Sequence, residues 1–189
     1  MKLLLHVCCA PCSTVAVERL VEAGHSVTLF FFNPNIFPAE ELEHRIAEAR
    51  ALAAKFGVEL VAGPEERSRW RRAVEPLAAR GERSIRCNVC FAVRLDAAAR
   101  EARLRRCDAF TTTLSTAPMK DSKTIFRIGR MLGRKHGVAF LEEDFKKRDG
   151  LHRSSVLCRK HGLYRQDYCG CEWSLAERRE ARGVRREEG

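Results

Sequence analysis

Apolar residues along this chain fall into two kinds of run that alternate. Short continuous runs over residues 2–7, 26–32, 58–62, 108–114 and 138–141 are rich in aliphatic, β-branched or aromatic side chains and have strand length. Longer segments with helical spacing separate them. Ser13 reads as the N-cap of an amphipathic helix that stops at Gly24, and residues 39–56 carry Leu42, Ile46, Ala49 and Ala53 on one face before Gly57. A helix is expected from Pro64, which Pro76 must kink or end, and further helices over residues 91–106 and 121–136. Strands alternating with long helices predict an α/β fold, a three-layer sandwich with a mainly parallel sheet, because parallel neighbours require crossover connections. No repeat or linker interrupts the pattern, so residues 1–189 are expected to form a single domain. From residue 145 onward the pattern weakens into a basic, Cys-containing C-terminal segment. That segment is expected to pack as a helical and loop extension on the rim of the site, with a charged helix over 174–182 and a frayed end over 185–189.

Composition narrows the class. A chain of 189 residues buries roughly 70% of its unfolded surface, so nothing beyond its own core is needed to explain folding. With 45% hydrophobic and 32% charged residues, disorder and coiled coil are excluded as descriptions of the whole. The first apolar run is interrupted by His6 and falls far short of the roughly 20 residues of a membrane span or the length of a signal peptide. The expectation is therefore a cytoplasmic protein with no membrane partner. In that reducing setting nine cysteines point to metal binding or redox chemistry rather than structural disulfides. The net charge of +10 is uneven. Residues 1–75 hold nine basic against ten acidic side chains, whereas residues 76–189 hold 26 against 15, as on a polyanion-binding face. An Arg-rich solvated surface would give the same count.

Open parallel sheets bind ligands beyond the carboxyl ends of their strands, and the unusual residues follow strands. Cys8, Cys9, Pro11 and Cys12 follow the first, Asn33, Pro34 and Asn35 the second, residues 112–120 the fourth and residues 144–147 the fifth. Three thiols in five residues at a strand-to-helix turn meet free N–H groups and a helix dipole, which favour thiolates. Cys87 and Cys90 form a C-x-x-C step behind Arg83 and Arg86. Four thiolates from the two segments suit an iron–sulfur cluster or zinc. The adjacent pair Cys8 and Cys9 fits a zinc knuckle poorly, which favours iron–sulfur without excluding zinc. Cys169-Gly170-Cys171 suits redox turnover or ligation, since a disulfide across one residue is strained and reducible. Cys107 and Cys158 read as inert, and the six histidines form no ligand pair. Neither glycine-rich phosphate loop is present, so nucleotide phosphate binding has no support.

The blocks 6–13, 32–36, 86–91 with Arg94 and Leu95, 110–115, 144–147, 162–166 and 168–171 together resemble, in order, the QueH-type epoxyqueuosine reductases. The resemblance implies a Rossmann-like fold related to the adenine nucleotide α-hydrolases and reduction of epoxyqueuosine in tRNA to queuosine without cobalamin. It implies a [4Fe–4S] cluster on Cys8, Cys9, Cys87 and Cys90, a redox-active pair in Cys169 and Cys171, and an additional mononuclear iron for which Cys12 is the candidate ligand. Departures lie at residues 115–118 and in the Arg-rich tail. Asp144, Lys146 and Lys147 are the candidate proton donors. Lys120, Lys123, Arg127, Lys146, Lys147 and Arg165 are the expected contacts to the tRNA backbone, and an external low-potential donor is the expected source of electrons. The alternatives are an iron–sulfur tRNA thiolation enzyme, which would need ATP, and a zinc-stabilised RNA-binding module without catalysis.

Overall fold

The computed structural model describes residues 1–187. Five strands, β1 (Lys2–Val7), β2 (Ser26–Phe31), β3 (Glu59–Ala62), β4 (Ala109–Thr112) and β5 (Ala139–Phe140), form one sheet in the order β3-β2-β1-β4-β5, with every neighbouring pair parallel. The helices are α1 (Ala10–Glu22), α2 (Ala39–Phe56), α3 (Arg67–Val74), α4 (Ile85–Leu104), α5 (Ser122–His136), α6 (Gly150–His161) and α7 (Glu172–Glu187).

Strand alternation builds the two cores. Leu3, Leu5 and Val7 face α1 and α2, where they meet Val15, Val17, Leu20 and Ala49, while Leu4 faces α4 and α5 with Phe91, Leu95, Ile125 and Ile128. These four side chains of β1 are fully buried, as expected for a central strand covered on both sides. The expected three-layer α/β sandwich is therefore what forms. Pro76 ends α3 as expected, in a short 3₁₀ turn over Glu75–Leu77.

Several boundaries differ from expectation, each for a local reason. Helix α1 starts at Ala10 with Cys9 as its N-cap residue, because Pro11 fits the first turn, and Ser13 donates its hydroxyl back to the Cys9 carbonyl at 2.7 Å instead of capping. Helix α4 begins at Ile85, capped by Ser84, so Cys87 and Cys90 lie in its first turns and not in a segment before residue 91. Strand β4 stops at Thr112, whose side chain accepts from Leu114 N and opens a 3₁₀ turn. Helix α6 was not expected; it packs on α1. Helix α7 begins before Ser174 and extends past Arg182 to Glu187, and the remainder of the expected frayed end, residues 188 and 189, lies outside the described residues.

Asp96 ties three helices together. Its Oδ1 accepts from Lys135 Nζ and His136 Nε2, both at 2.8 Å, and Arg69 of α3 comes to 3.6 Å. Burial alone would raise the Asp96 pKa, but the hydrogen bonds from His136 and Lys135 outweigh it and hold the carboxyl below its ordinary range. A folded-state pKa below the unfolded value of about 3.9 adds stability above that pH, and the gain disappears as the pH falls through the folded pKa. Asp96→Asn is accordingly expected to lower the melting temperature at neutral pH, with the difference from the wild type shrinking as the pH falls through the folded pKa of Asp96. Equal melting at pH 7 would show that the network contributes nothing.

Candidate active site

Residues Cys8, Cys9 and Cys12 stand where β1 gives way to α1. Their sulfurs all lie within 4.8 Å of one another, with 3.8 Å between those of Cys8 and Cys9. The 3₁₀ turn after β4 closes on them: Thr113 accepts from Cys8 N at 3.2 Å and donates to Cys8 Sγ at 3.4 Å, and Thr116 donates to the Cys12 carbonyl at 2.9 Å. From the C-terminal segment, Gln166 donates to Cys9 Sγ at 2.8 Å. Hydrogen bonds from Cys12 and Cys9 hold the Cys8 thiol well below its ordinary pKa despite burial, aided by Lys120 and Arg94. The same hydrogen bonds and burial push Cys12 well above its ordinary value. Of the three, Cys8 is therefore the thiol most readily deprotonated.

A cavity of about 490 Å³ opens beside the triad. Cys8 and Cys12 line one side, Cys87 of α4 another, and Lys120, Arg45 and Cys169 complete the wall. Cys90, one turn after Cys87, does not reach the cavity. It is buried against Trp70 and Val74, and burial raises its pKa to about 11. The indole N–H of Trp70 is buried without a hydrogen-bond partner and neighbours the Cys90 sulfur, whose thiolate form it favours. Cys171 packs in the same cluster beside Trp173, and its sulfur accepts from Ser174 N at 3.4 Å at the start of α7.

The Cys169-Gly170-Cys171 segment is docked on α2 and the loop before it. Arg45, with its side chain 2% exposed, donates to the carbonyls of Cys169 at 3.1 Å and Tyr168 at 3.4 Å and is itself paired with Glu41 at 2.7 Å. Phe37 N donates to the Gly170 carbonyl at 2.8 Å. Gly170 has φ of +127°, a backbone state that side chains disfavour, and a Cβ there would lie 3.0 Å from Arg45 Nη1.

The other residues expected at the site divide. Lys123, Asp144, Lys146 and Lys147 line a shallow groove of about 530 Å³ beside the cavity, and Arg83, Met119 and Lys120 border both. Lys146 is internally engaged, donating to the Lys120 carbonyl at 3.0 Å and Ser122 Oγ at 2.6 Å and pairing with Asp144 at 3.5 Å. Arg127 and Arg165 are exposed on α5 and on the segment before Cys169, away from both spaces. Sequence reasoning gave no role to Arg45, Gln166 or Arg94. Only Arg94 had a legible signal: it lies one helical turn after Cys90 and two after Cys87, on the same face.

The donor set suits a metal centre. Three thiols converge within ligating distance, and two buried or half-buried cations, Arg94 and Lys120, surround them; this is chemistry for an anionic thiolate group. Among the described residues no helix is long and apolar enough to cross a membrane.

Comparison with known folds and sequences agrees with this arrangement. The U34-tRNA thiolase NcsA from Methanococcus maripaludis, solved with its [4Fe–4S] cluster, superposes with a TM-score of 0.60 at 15% identity, covering 92% of this chain and 61% of that one. A predicted subunit of tRNA methyltransferase from Methanocaldococcus jannaschii gives 0.56 at 14% identity, over 81% and 74% of the two chains. At such identities the likeness concerns the fold. Sequence carries more. Epoxyqueuosine reductase QueH of Thermotoga maritima is 38% identical over 180 residues, 94% of this chain and 92% of the relative, and that of Haemophilus influenzae is 34% identical over 177 residues, covering 93% and 72%. The family model for epoxyqueuosine reductase QueH matches residues 3–177, and the chain belongs to that family.

Proposed function

We propose that this protein reduces epoxyqueuosine in tRNA to queuosine, with a [4Fe–4S] cluster held by Cys8, Cys9, Cys87 and Cys90. The observation that carries the reading is the shared cavity, which Cys8, Cys12, Cys87 and Cys169 line together with Lys120, with Cys9 beside the first two and Cys90 one turn of α4 after Cys87. When bound, the cluster supplies one-electron steps at low potential. Cys12 is left over from the four ligands and is the candidate ligand of an additional mononuclear iron.

Epoxide reduction to an alkene takes two electrons and two protons and releases the oxygen as water. Oxidation of Cys169 and Cys171 to a disulfide yields two electrons and two protons, which balances the reaction, and an external low-potential donor then restores the dithiol. Lys120 takes the part of proton donor ahead of Asp144 and Lys146. It lines the cavity, whereas they line the adjacent groove and are tied to each other. Burial works against a charge on Lys120, but the sulfurs of Cys169 and Cys8 outweigh it and raise its pKa, so it enters the reaction protonated.

The partner is an RNA loop with a splayed base, whose neighbouring phosphates follow the basic groove. Of the six expected phosphate contacts, Lys123 and Lys147 are exposed in that groove, while Lys146 is committed internally and Lys120 belongs to the cavity. Lys123→Ala/Lys147→Ala is expected to weaken tRNA binding and to flatten the log–log salt dependence by about 1.4, two counterions at the single-strand value. Filter binding across salt concentrations measures it; a wild-type slope would put the RNA on another face. The activity itself is tested with anaerobically reconstituted protein, dithionite and tRNA carrying epoxyqueuosine. Mass spectrometry of the nucleosides should find the loss of one oxygen, and substrate that stays intact overturns the reading. A cytoplasmic setting follows from the tRNA substrate.

A further inference from the structure

Among the described residues three arginines have side chains buried almost completely, and two of them are conventional. Arg45 pairs with Glu41 and Arg86 with Glu177, each at 2.7 Å. Arg94 is different. It is 1% exposed, no carboxylate pairs with it among the described residues, and its Nε has no partner. Its Nη2 donates to the amide oxygen of Asn33 at 2.5 Å, and Asn33 in turn donates to the Val7 carbonyl at 2.9 Å. A neutral amide orients the guanidinium without cancelling its charge. A buried charge left uncompensated is strongly unfavourable, so a chain that keeps one implies an anion nearby.

The place of Arg94 in the fold identifies where that anion belongs. Arg94 follows Cys90 by one turn of α4, and Asn33, two residues after β2, ties its head to the Val7 carbonyl, directly before Cys8. His6 cannot supply the missing negative charge, because an imidazole is neutral or cationic; it is fully buried, bonded to Thr112 Oγ1 at 2.8 Å and the Phe32 carbonyl at 3.2 Å. Lys120 is a second cation on the cavity side. Arg94 thus lies on the helix that carries Cys87 and Cys90 and is tied to the strand end before Cys8, while Lys120 shares the cavity with Cys8, Cys12 and Cys87.

We propose that Arg94 is the fixed counter-charge of the thiolate-held centre and raises the potential at which that centre accepts an electron. The inference rests on the cluster reading above and adds to it a positioning residue that touches neither substrate nor metal. Adding an electron to an anionic centre is opposed by its own charge, and a buried cation that cannot be screened by water offsets that opposition. The neutral contact to Asn33 is essential to the device, because a carboxylate in its place would cancel the field.

Potentiometric titration followed by electron paramagnetic resonance tests this on the reconstituted holoprotein. In Arg94→Met the cluster is expected to be at least tenfold harder to reduce at a given potential, a fall of 59 mV or more for a one-electron couple. Asn33→Asp is expected to act in the same direction while keeping the guanidinium, at the loss of the Val7 hydrogen bond. Arg94→Lys keeps the charge and should stay near the wild type. Wild-type potentials in both Arg94→Met and Asn33→Asp, or a fall in Arg94→Lys as large as in Arg94→Met, overturn the proposal. If Arg94→Met does not fold, Asn33→Asp decides alone. A wild-type protein that incorporates no iron and sulfide overturns the cluster reading and this inference together, an outcome distinct from unchanged potentials in the variants.

Discussion

Alanine at Cys8, Cys9, Cys87 or Cys90, one at a time, is expected to leave anaerobically reconstituted protein without its brown cluster and with reductase activity at background. A four-cysteine cluster has no spare ligand. The geometry around the triad makes the test sharper than a scan of all nine thiols, because the sulfurs of Cys8, Cys9 and Cys12 lie within 4.8 Å of one another and any two of them could serve. Cys12→Ala is therefore the informative control: it should retain full cluster iron and sulfide, losing at most the additional iron. Cys12→Ala without a cluster, paired with Cys9→Ala that keeps it, would transfer the ligand role from Cys9 to Cys12. On α4 no such exchange is available, since Cys87 and Cys90 are its only two cysteines. Colourless protein carrying zinc in the wild type would defeat the whole assignment.

What the sequence made legible follows from how local each signal is. The sheet was readable because β1 and β2 are nearly unbroken apolar runs and because Gly57 and Gly137 end α2 and α5 in the left-handed conformation that glycine adopts readily. Convergence of Cys8, Cys12 and the residues after β4 on one rim followed from sheet topology alone. Misreadings came where two local signals competed. Ser13 is a good N-cap residue, yet Pro11 set the helix start earlier, and the helix expected from residue 91 starts at Ile85, because Ser84 caps it ahead of Cys87 and Cys90. Helix α6 escaped because its stripe against α1 is short, with only Leu157 and Cys158 among its larger side chains buried. The roles of Lys120 and Lys146 were not legible at all. Both are lysines after strand ends, and only tertiary packing sends one into the thiol cavity and commits the other to Ser122 and the Lys120 carbonyl.

Serine at Cys169 or Cys171 is expected to spare the cluster and abolish multiple turnover, because either change removes half of the dithiol that balances the two-electron reduction. The two thiols differ in setting: Cys169 lines the cavity, while Cys171 lies in the Trp70 and Trp173 cluster with its sulfur on the first turn of α7. Between them Gly170 occupies φ of +127°, with its carbonyl held by Phe37 N and the preceding carbonyl held by Arg45. Gly170→Ala should therefore disturb the pair without deleting a thiol, since the new Cβ would meet Arg45 Nη1 at 3.0 Å in a backbone state that alanine disfavours. Such strained residues cost about 1–3 kcal/mol, enough to displace the segment or slow formation of the disulfide. Mild oxidation followed by thiol counting separates the possibilities. The wild type should lose two free thiols reversibly, both serine variants none, and Gly170→Ala two but more slowly. Serine variants that turn over at the wild-type rate would exclude the pair from electron transfer, and serine variants that lose the cluster would make these cysteines ligands.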